Sequence, residues 1–434
     1  MQETLKKSHW LIISHDFNMD GRAPSLTITD KIPYLLDANI TLHVISAVTG
    51  KKDSQFPHDQ LLPWGPSALR FDFRHWLKTR LGKGFSYKFA TTLVSLLVLP
   101  LSMIERGMVG LSSQWSWSYP AAFRARQLIK KNKIDLVYTT GGAWSAHYAG
   151  YLIKKSTRIT WIAEVHDPLV ENDLLKKTKD QKFQASLEKK IAAYADLAWW
   201  FTENALKQAQ TRHPRLIENG FSVRPGSIPP GCFEPLPKEQ IGTDTLNIMH
   251  FGSLADDRSF APLLETLSLF FKNHPSYQDK IKIHVYGTSL DNTSKAAVEK
   301  FSMHSIMVLH GRVEQDKKTG KSGREVIMDI MRHADVLLLL HGNRDACSQY
   351  IPSKLYDYSW TDRPIFALTH QSEELDQLLE KRHAYIAHTV DQASILNTLE
   401  ILIHDWKDGK LRKQIFNPVT PKDAVDEILK RVNG

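Results

Sequence analysis

One segment of the chain, residues 334–368, constrains the possible folds more than any other. The apolar run Ala334–Leu340 is followed by a polar break at His341–Asn343, a segment of helical spacing that starts at Pro352, and a second apolar run, Ile365–Leu368. Two short apolar runs that flank a helix are typical of a strand, a crossover helix and a parallel strand. Such units build a doubly wound sheet, so the segment predicts an α/β fold.

The same segment is a candidate anion-binding site. In open α/β sheets, ligands lie outside the carboxyl ends of the strands, where the first turn of a helix directs unpaired backbone N–H groups at them. Lys354 lies in that first turn, next to Ser353, and Asp357 follows one turn later. The alternative is that these polar side chains are simply solvated, and the pattern alone leaves both interpretations open.

Length and composition indicate a globular protein with two domains. A chain of 434 residues suits two domains of roughly 200 residues each. Its two cysteines, Cys232 and Cys347, are far apart, which argues against a disulfide framework and fits a reducing compartment. The apolar run Trp10–Ser14 is too short for the core of a signal peptide, so we expect a first buried strand and a cytoplasmic protein.

The alternation of apolar runs and helical segments continues through both halves of the chain. Strands are predicted at 9–14, 40–46, 136–138, 160–165 and 196–202, and at 246–251, 281–286, 308–311, 334–340 and 365–368. Residues 235–245 are predicted to form a linker, and residues 378–434 are predicted to be helical with polar breaks at Asp408–Gly409 and Asn417–Pro418. The sequence therefore predicts two Rossmann-like halves.

A basic and apolar insertion at about 61–118 interrupts the first half. The segment Leu69–Arg80 has Arg70, Arg74 and Lys78 on one helical face and apolar side chains on another, as an interfacial membrane helix requires. Phe89–Ile104 then gives sixteen residues without a charge, fewer than the roughly 20 needed to span a bilayer. The alternative is a pair of core helices with a solvated basic face.

The net charge of +9 points to a polyanionic partner. Between Leu61 and Ala90 there are six Lys or Arg residues against one acid, and no zinc-finger spacing, RNP-like pattern or basic tail is present. We therefore expect an anionic membrane surface rather than nucleic acid.

Two places in the first half carry candidate site residues. The loop after the first predicted strand contains Gly21 and Arg22, and glycine there allows a ligand to approach the backbone. His166 and Asp167 follow the strand 160–165 at the edge where ligands bind. Asp167 precedes Pro168, so the alternative is an aspartate that only caps a turn.

Two motifs in the second half resemble the donor site of GT-B glycosyltransferases of family 4. Pro352, Lys354, Leu355, Asp357 and Pro364 are similar to the family pattern PxKLxEY followed by a proline before an apolar strand. The segment from Phe251 to Arg258 is similar to the opening of the family's donor domain. The resemblance implies the GT-B fold, in which two Rossmann-like domains face an interdomain cleft.

The domain limits implied by the resemblance are an acceptor-binding domain at 1–235, a nucleotide-sugar domain at 246–415, and a C-terminal helix at 416–434 that packs back on the first domain. The chain departs from the family in its acidic pair, because Gln349 and Asp357 replace two glutamates. It also lacks the second glycine after Gly21, and His166 stands where arginine is usual. The identity of the sugar therefore remains open.

The resemblance also implies a role for each candidate residue. His166 or Asp167 would position the acceptor hydroxyl in a reaction that retains the anomeric configuration, and Gly21 and Arg22 would lie near the acceptor. The implied donor-binding residues are Gly252, Ser253, Arg258, Arg312, Gly342, Gln349, Ser353, Lys354, Leu355 and Asp357. No DxD motif occurs in the sequence, so we expect no metal and no other cofactor, with Arg258 and Lys354 meeting the diphosphate charge.

The sequence therefore favours a glycosyltransferase that moves a sugar from a nucleotide sugar to a lipid-linked or cell-envelope glycan acceptor, in polysaccharide biosynthesis at the inner face of the plasma membrane. A sugar-nucleotide epimerase of the same architecture and a catalytically inactive membrane-bound scaffold are the alternatives. The absence of GxSxG, GxGxxG and GxxxxGK[ST] argues against a serine hydrolase, a dinucleotide enzyme and a P-loop protein.

Overall fold

The computed structural model describes residues 8–19, 22–82, 84–111, 114–170, 178–229, 244–287, 289–316 and 318–434, without the side chain of Thr79. The chain divides into two compact units, 1–225 with 421–434 and 226–420. Each unit contains one parallel β-sheet, of seven strands in unit 1 and six in unit 2.

The sheet of unit 1 has the strand order β3-β2-β1-β4-β5-β6-β7, with every pairing parallel. Its strands are β1 (Ser8–Ile13), β2 (Ile40–Ala47), β3 (His58–Leu61), β4 (Leu136–Gly141), β5 (Thr160–Val165), β6 (Leu197–Trp200) and β7 (Gly220–Ser222). The order reverses between β1 and β4, which makes their carboxyl ends the expected ligand edge.

Both faces of this sheet are buried, as a parallel sheet requires. Alternate residues of β1 enter opposite cores: Leu11 and Ile13 pack in one apolar cluster, and Trp10 and Ile12 in the other. This two-sided burial explains why the strands read as continuous apolar runs in the sequence.

Along the described part of the chain, helices of unit 1 lie between the strands of its sheet. They are α1 (Ala23–Thr29), α2 (Ile32–Asp37), α3 (Pro66–Leu81), α4 (Phe85–Val109), α5 (Ser118–Lys131), α6 (Ser145–Ser156), α7 (Lys179–Tyr194), α8 (Glu203–Arg212) and α9 (Leu216–Asn219). The helical spacing of residues Leu26–Leu36 predicts one helix, but the structure divides this segment into α1 and α2. Pro33 has no N–H to donate to Thr29, and Lys31 between the helices is buried.

The predicted insertion contains a two-helix hairpin, α3 followed by α4, which pack side by side. Glycines flank the turn between them: Gly82 has a φ of 67°, and Gly84 is the N-cap of α4. The helix α4 has 25 residues, so it extends beyond the uncharged run at both ends. By length and composition alone it qualifies as a candidate membrane span, which the sixteen-residue run did not.

The sheet of unit 2 has the order β10-β9-β8-β11-β12-β13, also with parallel pairings. Its strands are β8 (Leu246–Gly252), β9 (Ile281–Gly287), β10 (Met307–Gly311), β11 (Val336–Leu340), β12 (Ile365–Thr369) and β13 (Tyr385–His388). Here the order reverses between β8 and β11. The two strands of the opening segment, β11 and β12, are neighbours and are fully buried.

The helices of unit 2 are α10 (Ala261–Asn273), α11 (Asn292–Lys300), α12 (Gly323–Arg332), α13 (Lys354–Tyr358), α14 (Glu373–Glu380) and α15 (Gln392–Lys407). The prediction that residues 378–434 are helical apart from two polar breaks is wrong at one place, because β13 lies within them. Tyr385 and Ala387 of this strand pack in the sheet core, a contact that a four-residue run does not reveal by its own periodicity.

A last helix, α16 (Pro421–Asn433), belongs to unit 1. Ala424, Val425 and Ile428 pack in the same apolar cluster as Trp10 and Ile12 of β1. The chain therefore begins and ends in one unit.

Candidate functional site

The carboxyl ends of β8 and β11 meet at the switch point of unit 2. Gly252 ends β8 with a φ of 130°, a conformation that L side chains rarely adopt. Gly287 ends the neighbouring β9 with a φ of 140°, and a Cβ built there would lie 2.3 Å from the Gly252 carbonyl oxygen. Because neither residue has a side chain, the backbones of the two strand ends pack closely, and no Cβ covers this edge of the sheet.

Lys354 lies over this edge, since a Cβ built at Gly252 would be 3.8 Å from Lys354 Cγ. The Lys354 ammonium donates to Asp357 Oδ2 at 2.9 Å, and Arg324 Nη2 lies 3.6 Å from Asp357 Oδ1. The side chain of Lys354 is 30% exposed, so the ammonium is accessible to a ligand. Lys354, Asp357 and Arg324 thus form a charged group beside Gly252.

Sequence reasoning missed Arg324. It lies in the first turn of α12, after a capping box in which Ser322 and Glu325 satisfy each other's backbone N–H groups. That motif locates the start of a helix but gives no reason to expect an arginine beside Asp357. The contact joins residues 33 positions apart in the chain.

Arg258 lies in the loop after β8, where its Nη2 donates to Ser253 Oγ at 3.2 Å. The same loop is bound to the loop after β11, because Asn343 N donates to the Asp257 carbonyl at 2.9 Å and Arg344 Nε donates to its carboxylate at 2.6 Å. The predicted donor residues Gly252, Ser253 and Arg258 are therefore held on one connected surface.

The pKa of His250 reports the charge of this surface. The pKa of His250 is lowered to about 4, mainly by burial and with a contribution from the positive charges of Arg258 and Lys354, against the opposing effect of a hydrogen bond to the Leu338 carbonyl. Two cations from separate loops therefore act on one buried imidazole of β8. A surface with this positive potential is suited to an anion.

The remaining predicted donor residues lie around the same loops. Gly342 follows β11, and a Cβ there would lie 2.3 Å from Cys347 Sγ. Gln349 is 5% exposed, and Leu355 is 2% exposed and packs in the apolar core beneath the site. Arg312 follows the edge strand β10, two strands from β8.

A helix begins at the predicted place, since Ser353 is the N-cap residue of α13, but its contribution to anion binding is small. The helix α13 has only five residues, and Ser353 makes no side-chain capping hydrogen bond. So short a helix aligns few peptide dipoles, so most of the positive charge comes from the Lys354 side chain.

At the carboxyl end of β5 in unit 1, a buried carboxylate holds His166. Glu164 is fully buried and accepts hydrogen bonds from Lys31 Nζ at 2.8 and 2.9 Å, from Thr140 Oγ1 at 3.0 Å and from Tyr138 Oη. His166 Nε2 lies 2.8 Å from Glu164 Oε1, and its ring packs on Phe201 with centroids 4.6 Å apart. The imidazole of His166 is therefore fixed in position and orientation.

The electrostatics of Glu164 favour its ionised form. Burial by itself would raise the pKa of Glu164, but Lys31 and His166 hold this pKa well below its usual range. Sequence reasoning missed both Glu164 and Lys31, since each looks like an ordinary residue of a strand or a helix. The available signal was a single glutamate within the apolar strand β5.

The other predicted residues of unit 1 surround this edge less closely. Asp167 and Arg22 are exposed, and Arg22 is the N-cap residue of α1. Gly21 lies outside the described residues. Among the residues that the structure describes, no group of three His, Cys, Asp or Glu side chains could hold a metal ion.

No protein-family model matches the chain, and no curated protein sequence matches it. Solved structures do match: sucrose-phosphate synthase from Thermosynechococcus elongatus has a TM-score of 0.63 and 11% identity, over 98% of this chain and 99% of that one. The lipopolysaccharide outer core galactosyltransferase WaaB has a TM-score of 0.56 and 10% identity, over 97% and 99%. A UDP-N-acetylglucosamine 2-epimerase has a TM-score of 0.50 and 13% identity, over 99% and 97%.

These similarities extend over nearly the whole chain and at such low identity concern the fold. The seven-stranded and six-stranded parallel sheets match the two Rossmann-like domains of GT-B structures. The predicted fold class is therefore confirmed: the chain has the GT-B fold.

Proposed function

We propose that the protein is a retaining glycosyltransferase that uses a nucleotide diphosphate sugar. The observation that carries the proposal is the group formed by Gly252, Lys354 and Arg258 at the switch point of unit 2. Negative charge grows on the leaving nucleoside diphosphate in the transition state, and fixed cations at that point stabilise it. Structures of the same fold include a sucrose-phosphate synthase and a galactosyltransferase, which agrees with this activity.

The acceptor would bind at unit 1, with its hydroxyl positioned by His166 or Asp167. When Nε2–H is donated to Glu164, a neutral His166 carries its lone pair on Nδ1. That atom can accept a hydrogen bond from a sugar hydroxyl. Asp357, held by Lys354 and Arg324, would bind hydroxyls of the donor.

The proposal extends to where the enzyme works. We assign it a lipid-linked or cell-envelope glycan acceptor at the cytoplasmic face of the membrane. The exposed cations Arg74, Lys78 and Arg80 of α3 support an anionic membrane surface as a partner. The similarity to a galactosyltransferase of the lipopolysaccharide outer core supports an envelope glycan.

The enzyme would need no metal, because Lys354 and Arg258 supply the positive charge at the donor site. Addition of EDTA should leave turnover unchanged once a donor is known. Loss of turnover on chelation, with recovery on adding a divalent cation, would contradict this part of the proposal.

The proposal is tested by thermal-shift screening and turnover on UDP-, GDP- and CMP-linked sugars. Lys354→Ala and Arg258→Ala should each reduce turnover at least roughly tenfold, which corresponds to about 1.4 kcal/mol of transition-state stabilisation. Lys321→Ala is the matched control, because Lys321 forms a half-exposed ion pair with Asp329 in the same unit. Normal rates in both site variants would refute the assignment.

Two other functions are each favoured by one observation. A sugar-nucleotide epimerase is favoured by the fold similarity to a UDP-N-acetylglucosamine 2-epimerase, and it would yield an isomerised nucleotide sugar with no glycosylated product. An inactive membrane-bound scaffold is favoured by Gln349, which replaces a family glutamate. Product analysis distinguishes the epimerase from the glycosyltransferase, and failure to bind any nucleotide sugar would favour the scaffold.

A further inference from the structure

The helix α4 presents an apolar face to solvent along its whole length. Phe85, Phe89, Leu93, Leu97, Ile104 and Met108 recur at helical spacing and are between 48% and 84% exposed. The spacing of four or seven residues places them on one side of the helix. Monomeric soluble proteins rarely expose a continuous apolar surface of this kind.

Three polar residues of α4, Ser95, Ser102 and Glu105, lie on its other side, against the protein. Ser95 Oγ accepts a hydrogen bond from Arg70 Nε at 3.2 Å, and Ser102 is 2% exposed. Glu105 accepts hydrogen bonds from Ser67 N and Trp115 Nε1, each at 2.7 Å. A helix on a protein in water buries its apolar side and exposes its polar side, so α4 is oriented for an apolar environment.

We propose that α4 lies in the plane of an anionic membrane, with its outer face among the acyl chains of one leaflet and without crossing the bilayer. This inference deepens the membrane part of the proposed function and rests on it for its biological purpose. Here the hairpin formed by α3 and α4 is the membrane-binding element, and α4, rather than the basic face of α3 alone, makes the apolar contact.

The charge distribution favours anionic lipid over a second copy of the chain as the occupant. Arg74, Lys78 and Arg80 of α3 and Lys88 of α4 are exposed beside the apolar face. Of the two acids in α3 and α4, Asp72 is fully buried, and Glu105 faces the protein through its hydrogen bonds from Ser67 and Trp115. Two such hairpins would repel each other, whereas anionic headgroups beside the acyl chains match both the charged and the apolar surfaces.

The contacts of α3 explain why α4 does not cross. A helix of 25 residues is about 37 Å long, enough for a hydrocarbon core of about 30 Å. However, Ser67 is bonded to Glu105 and Arg70 to Ser95, so α3 would have to accompany α4. That would carry Arg70, Arg74, Lys78 and Arg80 to a depth where each charge is strongly disfavoured.

A buried pair attaches the hairpin to the acceptor edge of unit 1. His15 Nε2 lies 3.2 Å from Asp72 Oδ1, and both side chains are fully buried. Burial by itself would lower the pKa of His15, but the Asp72 carboxylate raises it above the usual value. His15 follows β1 at the carboxyl edge of the sheet, and His166 follows β5 at the same edge. The hairpin formed by α3 and α4 is therefore attached at the edge of unit 1 where His166 lies.

Flotation with phosphatidylglycerol vesicles tests the contact. The double variant Leu93→Asp/Leu97→Asp should lose at least roughly tenfold in vesicle affinity, because its apolar face would carry two charges. Ile217→Asp and Val390→Asp are matched controls, since these residues are 69% and 66% exposed elsewhere, and both should float like the wild type. Undiminished flotation of the double variant would overturn the proposal. A concentration-dependent dimer that this variant abolishes would instead identify a second copy as the occupant.

Labelling at the turn between α3 and α4 tests whether α4 stays in one leaflet or crosses the bilayer. In a Cys232→Ser/Cys347→Ser background, Ser86→Cys is coupled to the fluorophore NBD, and the protein is added to sealed vesicles. External dithionite, which does not cross the bilayer, should quench all bound NBD, whereas protected NBD would show that α4 crosses. Donor thermal shifts measured on the same Leu93→Asp/Leu97→Asp protein should match the wild type, so failure of donor binding and failure of membrane insertion are read separately.

Discussion

Replacing Glu164 by glutamine removes the charge that compensates Lys31. Lys31 is 1% exposed and bonds both oxygens of Glu164. Removal of one partner from a buried ion pair typically costs about 3–5 kcal/mol, because the other charge stays buried. Glutamine keeps one carbonyl acceptor, so we expect a loss near the lower end, about 3 kcal/mol. At roughly 2–4 °C per kcal/mol, this lowers Tm by about 6–12 °C.

Differential scanning calorimetry of Glu164→Gln measures this loss in the transition of unit 1. The double variant Lys31→Met/Glu164→Gln is the control, because it removes both charges and leaves no uncompensated ammonium. It should recover at least half of the lost stability, since replacing a buried pair by neutral groups is often close to neutral. A Tm for Glu164→Gln within about 2 °C of wild type would refute the reasoning, as would a double variant no better than the single one.

The stability difference depends on pH with a defined sign. Burial by itself would raise the pKa of Glu164, but Lys31 and His166 hold this pKa below its value in the unfolded chain. The contribution of ionised Glu164 is therefore fully present above the unfolded pKa, about 4.3, and is lost as the pH falls below it. The gap in Tm between wild type and Glu164→Gln should narrow below about pH 4.

Three further predictions concern residues of unit 2. In urea melts, Gly287→Ala should lose roughly 3 kcal/mol of stability, because the new Cβ would lie 2.3 Å from the Gly252 carbonyl oxygen and the residue has a φ of 140°. The control Gly107→Ala should keep its stability, because a Cβ there meets no atom within 4 Å. Arg324→Ala should leave Tm nearly unchanged, since its ion pair is partly exposed, but raise the KM for the donor about fivefold in steady-state assays. Burial holds the pKa of His250 and His341 at about 4, below the unfolded value of about 6.5, so only the unfolded chain binds these protons between pH 7 and pH 5. As the pH falls over this range, the free energy of unfolding should fall by about 2 kcal/mol for each histidine, and urea midpoints that do not change would contradict this.

The sequence by itself determined the fold class and most strands of the unit 2 sheet. Apolar runs such as Val336–Leu340 and Ile365–Thr369 predict buried parallel strands, because side-chain periodicity follows directly from backbone geometry. Gly252 was located at the end of a predicted strand and Lys354 in the first turn of a predicted helix, and the resemblance to the donor motifs implied a role for both. Side-chain periodicity failed at β13, whose four residues are too few to distinguish a strand from a helix.

Only the tertiary structure decided which distant side chains meet and which way α4 faces. Lys31 and Glu164 are 133 positions apart, and their ion pair exists because α2 begins beside the carboxyl end of β5 in the folded unit. The sequence shows that α4 is apolar, but the bond from Ser67 to Glu105 turns its polar side inward and its leucines outward. Periodicity is a property of neighbouring residues, whereas charge pairing and orientation depend on how the elements pack, which no local pattern encodes.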